Sequence, residues 1–122
     1  MNKLLKHTRR HDVTFCRNGC ISITARVART LDIKPGDSVN IAQHENEYLL
    51  YAVHADGSGF RRYARCYPTN KGGNNYRTYS VQLCRALMSA LNITSDRVSY
   101  MVGKSVEING TIYLPMITRL PL

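Results

Sequence analysis

A short apolar pattern occurs twice in this chain, because residues 21–33 align without a gap on residues 81–93. The aligned apolar pairs are Ile21/Val81, Ile23/Leu83, Val27/Leu87, Leu31/Leu91 and Ile33/Ile93. A unit of roughly 50 residues buries too little surface to be stable alone, so we expect both copies to share one core. Such a repeat predicts a pseudo-symmetric fold, which is more typical of binding proteins than of enzymes.

The net charge restricts the class of partner. The 122-residue chain has 17 lysines and arginines against 8 acidic residues, which gives a net charge of +9 and an isoelectric point near 9.7. A surplus of this size favours a polyanion such as DNA or RNA, or less typically an acidic membrane surface. The alternative is a basic soluble protein whose charge serves no partner.

The basic residues are concentrated at the start of each unit. The first cluster contains Lys3, Lys6, Arg9, Arg10, Arg17, Arg26 and Arg29, and the second contains Arg61, Arg62, Arg65, Lys71, Arg77 and Arg85. Residues 31–53, which lie between them, are acidic on balance. Because a merely solvated surface has no reason to repeat in this way, the distribution favours a nucleic-acid partner.

Turn and helix signals divide the chain into four segments. We expect a basic flexible arm over residues 1–12 and a first unit of strand, helix, strand and strand over residues 13–53. Residues 54–75 form a linker with a further strand, and residues 76–122 form a second, degenerate unit. The expected fold is therefore mostly β with two short helices.

Local signals set the boundaries of these elements. Thr24 is the expected N-cap of the first helix, and Pro35-Gly36 ends that helix. In the second unit, residues 76–83 alternate as a strand and residues 84–91 have helical spacing. Asn109-Gly110 predicts a hairpin with a type I′ turn.

The cysteines and the amino terminus bear on metal binding and location. Cys16 and Cys20 are four residues apart and near His11, which raises zinc as an alternative, but Cys66 and Cys84 lack a matching spacing. We therefore expect no metal and no cofactor.

The first residues lack the apolar segment of an export signal, and no stretch approaches membrane-spanning length. We expect a cytoplasmic protein with reduced thiols and no membrane partner.

Within residues 18–41, a short strand, the end of a helix, a turn and an alternating strand follow one another directly. The successive segments are the strand Cys20-Ile-Ser-Ile23, the helix end Leu31-Asp-Ile33 and the turn Pro35-Gly-Asp37. This run resembles the AbrB/MazE/SpoVT swapped-hairpin domain family. Thr24 stands where that family usually has proline, and Asp32 replaces a frequent glycine. The second unit keeps the apolar frame but lacks the Pro-Gly turn.

The resemblance implies both a fold and a function. In that family two βαββ units, normally from two chains, interdigitate into one small swapped-hairpin barrel that is double-psi-like. Both units lie in one chain here, which implies a monomeric pseudo-dimer, with a homodimer as the alternative. The implied function is a transcriptional regulator that binds duplex DNA through a basic face. The alternative is an interaction or assembly module, similar to an antitoxin, without specific DNA binding.

The candidate nucleic-acid contacts are basic residues that neutralise phosphates, so that binding falls steeply with added salt. They are Arg9, Arg10, Arg17, Arg26, Arg29, Arg61, Arg62, Arg65, Lys71, Arg77 and Arg85. Tyr63, Tyr67, Tyr76 and Tyr79 are interleaved with the second cluster, which keeps RNA or single-stranded DNA open as partners. The competing interpretation is that these tyrosines pack in the wall of the fold.

The sequence contains no arrangement typical of an active site. The four histidines are spread over the arm, a turn and the linker, at His7, His11, His44 and His54. No serine or cysteine lies in a nucleophile elbow, and no glycine-rich loop precedes a helix with phosphate-binding spacing. We therefore expect no catalytic residues and no enzymatic activity.

Overall fold

The computed structural model describes residues 11–55, 64–69 and 74–118. Most of the predicted arm and parts of the predicted linker lie outside the described residues. The first unit contains β1 (Val13–Cys16), β2 (Cys20–Ile23), α1 (Ala25–Leu31), β3 (Ser38–His44) and β4 (Glu47–Val53). The rest contains β5 (Tyr67–Pro68), β6 (Tyr76–Tyr79), α2 (Val81–Ala90), β7 (Arg97–Tyr100), β8 (Val106–Ile108) and β9 (Thr111–Met116).

The strands form two antiparallel sheets, and each sheet takes strands from both halves of the chain. The five-stranded sheet has the order β5-β6-β2-β1-β7, and the four-stranded sheet has the order β3-β4-β9-β8. The prediction of a mostly β fold with two short helices is confirmed. Neither sheet is closed on itself.

The centre of each sheet is a pair of strands from different halves. In the five-stranded sheet β2 lies beside β6, and each of these strands directly precedes a helix. In the four-stranded sheet β4 lies beside β9, and each is the second strand of a hairpin. Leu50 and Leu114 each stand three residues after the start of their strand, and they are direct register partners. The hairpins β3–β4 and β8–β9 are thus related by an approximate two-fold axis at this leucine pair.

The two sheets are joined at two corners. At one corner Ser38 forms an isolated bridge with Arg65, and the N–H of Cys66 donates to the carbonyl of Asp37 at 2.7 Å. At the other corner Val102 bridges Met116. These contacts connect the start of β3 to the segment before β5, and the segment after β7 to the end of β9.

One hydrophobic core lies between the sheets and under the helices. Its largest fully buried side chains include Phe15, Ile21 and Leu50 from the first half, and Met88 from α2. Helix α1 contributes Val27, Ala28 and Leu31, and α2 contributes Cys84, Leu87 and Met88. Since both halves bury side chains in the same cluster, neither half has a separate core.

The helix ends show where the internal repeat holds. Asp32 and Asn92 follow the two helices with φ of 55° and 57°, in the left-handed region. The N–H of Ile33 donates to Ala28 at 2.9 Å, and the N–H of Ile93 donates to Met88 at 2.8 Å. The sixty-residue alignment is therefore structurally correct at the end of each helix.

At the start of the helices the alignment is wrong. Ile21 and Ile23 are buried in β2, but their aligned partners Val81 and Leu83 lie in α2, and Val81 is 46% exposed. The predicted strand over residues 76–83 stops at Tyr79. The cause is Ser80, whose Oγ accepts a hydrogen bond from the N–H of Leu83 at 3.1 Å and so begins α2.

Two other boundary predictions have different outcomes. Thr24 stands at the N-cap position of α1, but its hydroxyl donates to the carbonyl of Asp12 at 3.1 Å and makes no cap bond. Asn109 and Gly110 connect β8 to β9 with φ of 51° and 82°. The predicted hairpin is confirmed, and both positive φ values fit a type I′ turn.

The turn between β1 and β2 packs directly against the start of α2. Gly19 has a φ of 105°, and a Cβ there would lie 2.9 Å from the backbone nitrogen of Val81. The N–H of Ser80 donates to the carbonyl of Gly19 at 2.8 Å. Only glycine allows this close approach of the turn to the helix.

Gly19→Ala is therefore expected to destabilise the protein by about 2 kcal/mol or more, because it adds a backbone clash to the strain of a positive φ. Gly110→Ala is the matched control, since Gly110 has a φ of 82° and open space around it. We expect the control to cost about 1 kcal/mol. Urea unfolding measures both variants, and equal losses would contradict the packing argument.

A buried carboxylate fastens the turn before β3 to the end of β4. The Oδ1 of Asp37 accepts from the N–H of Ala55 at 2.8 Å. Its Oδ2 accepts from the N–H of Lys34 at 2.9 Å and lies 2.7 Å from Nδ1 of His54. Burial raises the pKa of Asp37, but these hydrogen bonds together outweigh burial, so its pKa is lowered from 3.8.

Asp37→Asn should remove a pH-dependent part of the stability. Because the folded-state pKa of Asp37 lies below 3.8, the carboxylate stabilises the fold above that pH and loses this effect as the pH falls through the folded-state pKa. We expect the variant to be about 2 kcal/mol less stable than wild type at about pH 7. Urea unfolding in acid should show a smaller difference, and a constant difference would refute the assignment.

Candidate nucleic-acid interface

The outer face of the five-stranded sheet is small and polar at its centre. In β1, β2 and β6 the more buried side chains alternate with more exposed ones, and the register with these strands gives the outward positions of β5 and β7. The outer face contains Thr14, Cys16, Cys20, Ser22, Tyr67, Arg77, Tyr79, Arg97 and Ser99. One row runs across all five strands in the order Ser99, Thr14, Ser22, Arg77 and Tyr67. The Oγ1 of Thr14 and the Oγ of Ser99 lie 2.8 Å apart.

Charge is segregated between the two sheets. The strands of the five-stranded sheet carry Arg77 and Arg97 and no acidic side chain. The strands of the four-stranded sheet carry Glu47 and Glu107 and neither lysine nor arginine. Among the described strands, the two sheets therefore have opposite signs, and the cationic side chains lie on the five-stranded sheet.

The two arginines of the outer face lie on β6 and β7, which are three strand positions apart. Neighbouring strands are about 4.8 Å apart, so the lateral separation of Arg77 and Arg97 is ~14 Å. The side chains between them are short hydroxyls and thiols. The face therefore has guanidinium groups towards its two sides and no bulky side chain at its centre.

An open cleft of about 780 Å³, which we call the tyrosine cleft, lies at the β5–β6 side of this face. It is lined by Arg65, Tyr67, Arg77 and Tyr79, together with polar side chains at the start of α2. Tyr67 and Tyr79 are 51% and 65% exposed. The structure thus brings together two predicted arginines and two of the interleaved tyrosines.

A second cleft, of about 500 Å³, lies at the β1–β2 turn and contains Arg17, Arg85 and Arg97. Arg17 is held within the protein, because its Nη2 donates to the carbonyls of Ile93 at 2.8 Å and Ser95 at 3.0 Å. Its Nε lies 3.9 Å from a carboxylate oxygen of Asp96. Arg17 therefore fixes the loop that follows α2, a role that sequence analysis does not predict.

Arg85 and Arg97 make no ion pair within the described part of the chain. Both are exposed beside Arg17. Arg97 is absent from the predicted contacts. The signal for it is the alternation of residues 97–100, which places Arg97 and Ser99 on the same face of β7.

The two arginines of α1 have different surroundings. Arg26 pairs with the buried Asp12, with its Nε 3.4 Å from Oδ1. The other carboxylate oxygen of Asp12 accepts from the N–H of Val102 at 2.9 Å. Arg29 is exposed and forms no ion pair with any described residue. Neither arginine lines the two clefts, so the structure does not join this pair to the outer face.

The remaining predicted contacts cannot be placed. Arg9, Arg10, Arg61, Arg62 and Lys71 lie outside the described residues. Of the predicted contacts, Arg17, Arg65, Arg77 and Arg85 therefore stand at the clefts with Arg97, and Arg17 and Arg26 also hold parts of the fold together.

The cysteines do not form a metal site in the described part of the chain, where no group of three histidine, cysteine or acidic side chains is placed to hold an ion. Burial raises the pKa of Cys84 to about 11, and burial followed by the charge of Asp37 raises the pKa of Cys66 to about 12. These two thiols therefore stay protonated at neutral pH and are poor nucleophiles.

Comparison of the chain with models of protein families, with curated proteins and with solved structures finds no match. Among the described residues, no helix is long and apolar enough to cross a membrane. The functional interpretation of the outer face accordingly depends on its charge, exposure and register.

Arg26→Ala should lower the free energy of unfolding by about 1 kcal/mol, because it removes an ion pair from the buried carboxylate of Asp12. Arg29→Ala, on the same helix, should change it by less than about 0.5 kcal/mol. Urea unfolding of both variants tests this contrast. Equal stabilities would show that Arg26 has no structural role.

Proposed function

We propose that this protein is a DNA-binding regulator that contacts duplex DNA through the outer face of the five-stranded sheet. The observation that carries the proposal is the segregation of charge, since Arg77 and Arg97 lie on one sheet and the acidic strand residues lie on the other. A polyanion is attracted to the first sheet and repelled by the second. The face therefore sets the orientation of the bound duplex.

The dimensions of the face support a duplex as the partner. The lateral separation of Arg77 and Arg97 is ~14 Å, and the major groove of B-DNA is ~12 Å wide. Each guanidinium can therefore contact a phosphate on a different side of one groove. The short hydroxyls of Thr14, Ser22 and Ser99 leave room for the backbone and offer hydrogen bonds to phosphate or base edges.

We further propose that the fold is a swapped-hairpin barrel formed by one chain. Strands of the two halves pair in the middle of both sheets, and the sheets are connected at two corners. Such an arrangement makes the single chain a pseudo-dimer. The resemblance of residues 18–41 to the AbrB/MazE/SpoVT family supports the same interpretation.

A second candidate function is assembly with a protein partner. Strand β8 is at the edge of the four-stranded sheet, and its Val106 and Ile108 are 43% and 51% exposed. Exposed apolar residues on an edge strand favour pairing with another chain. In its simplest form, two copies of the chain would pair through β8. Light scattering tests this directly, because it measures the mass of the protein in solution.

Replacing Arg77 and Arg97 together by glutamine should weaken duplex binding roughly tenfold and reduce the slope of log affinity against log salt by about two, because two phosphate contacts are lost. The measurement is fluorescence anisotropy of a labelled duplex of random sequence at several salt concentrations. Circular dichroism checks that the fold is retained.

The matched control removes Arg29 and Lys104, which reduces the net charge by the same amount away from the two clefts. We expect this control to bind the duplex nearly as well as wild type. Equal weakening by both pairs would show that net charge, and not the outer face, determines binding. Unchanged binding by the Arg77/Arg97 variant would refute the proposed interface.

A further inference from the structure

The tyrosine cleft contains three side chains that lie next to one another on the outer face. Tyr67 of β5 is the register partner of Arg77 of β6. Tyr79 follows Arg77 by two residues and therefore points to the same side of the sheet. One tyrosine is thus the neighbour of Arg77 across the strands, and the other is its neighbour along β6.

These two rings differ from the tyrosines that serve the fold. Tyr100 is buried and lies 6.3 Å from Phe15 between ring centroids, and Tyr51 contacts Tyr113 at 5.2 Å. Tyr67 and Tyr79 have no aromatic partner among the described residues, and at least half of each side chain is exposed. Packing does not explain their presence at the surface.

The chemistry of the cleft fits a nucleotide whose base is not paired. An aromatic ring offers a flat face for stacking with any base, and the neighbouring guanidinium binds phosphate. The hydroxyls of Thr69 and Ser80 and the amide of Gln82 line the same cleft and supply hydrogen-bonding groups for a base edge. The cleft volume of about 780 Å³ is within the range of small-molecule sites.

The bases of a regular duplex are stacked on each other, so their faces are not accessible to a ring on a protein surface. Two exposed tyrosines beside an arginine can therefore stack on a base only when that base belongs to a single-stranded segment. We propose that the tyrosine cleft binds an unpaired nucleotide, whose base stacks on Tyr67 or Tyr79 and whose phosphate contacts Arg77. This inference rests on the proposed DNA-binding function and adds to its duplex contact a site for an unpaired nucleotide.

The test compares three fluorescein-labelled probes of equal length: oligothymidine DNA, oligouridine RNA and a random duplex. Tyr67→Ala or Tyr79→Ala, whichever removes the ring that stacks on the base, should weaken binding of a single-stranded probe by roughly fivefold to a hundredfold, because the stacking contact is lost. Binding of the duplex should change by less than about twofold. The DNA and RNA arms show which backbone the cleft prefers.

Two kinds of control accompany these variants. Tyr67→Phe and Tyr79→Phe keep the ring and should bind single strands nearly as well as wild type. Ile117→Ala removes an exposed apolar side chain just after β9, outside the cleft, and should leave all binding unchanged. With the wild-type protein, a 2-aminopurine base in the DNA probe should lose fluorescence on binding, which reports stacking without any substitution.

The outcomes separate this inference from the proposed function. If the alanine variants bind single strands as wild type does, or if 2-aminopurine keeps its fluorescence, the cleft does not bind an unpaired base and the inference is overturned. Duplex binding that still depends on Arg77 and Arg97 would then leave the proposed function intact. If wild type binds none of the three probes, both proposals fail.

Discussion

The whole structure depends on pairing between the two halves of the chain. β2 lies beside β6 and β4 lies beside β9, so the centre of each sheet exists only when both halves are folded. The Leu50–Leu114 pair is at the middle of one of these contacts, and both side chains are buried in the shared core. Because the sheets have no centre without this exchange, the helices and the outer face depend on it for their positions.

The outer face shows how a sheet separates core side chains from exposed side chains by residue parity. In β6 the buried Thr78 faces the core, whereas Arg77 and Tyr79 face outward. Three strands away, Tyr100 is buried and Arg97 is exposed. The same backbone that fixes the core therefore fixes the spacing of the cationic and aromatic groups to within a strand position.

Sequence reasoning succeeded where a local signal determines local structure. Asp32 and Asn92, which the alignment pairs, both follow a helix in the left-handed conformation, and Asn109-Gly110 makes the predicted turn. Sequence reasoning failed at the start of α2, where the cap at Ser80 begins the helix before the apolar alternation ends. It also did not predict that Arg17 and Arg26 have partners 76 and 14 residues away. The sequence shows where the basic residues lie along the chain, but only the strand register shows which of them share a face of the sheet.

Both repeats belong to one polypeptide, and this has a consequence for how the surface can specialise. An assembly of two identical subunits displays each surface residue twice. A substitution that changes the surface of one subunit therefore also changes the equivalent surface of the other. A single chain has no such restriction. Here Tyr67, Arg77 and Tyr79 line a cleft at the β5–β6 side, whereas Arg17, Arg85 and Arg97 line a different cleft at the β1–β2 turn. With both units in one chain, each part of the surface can therefore change independently of the other.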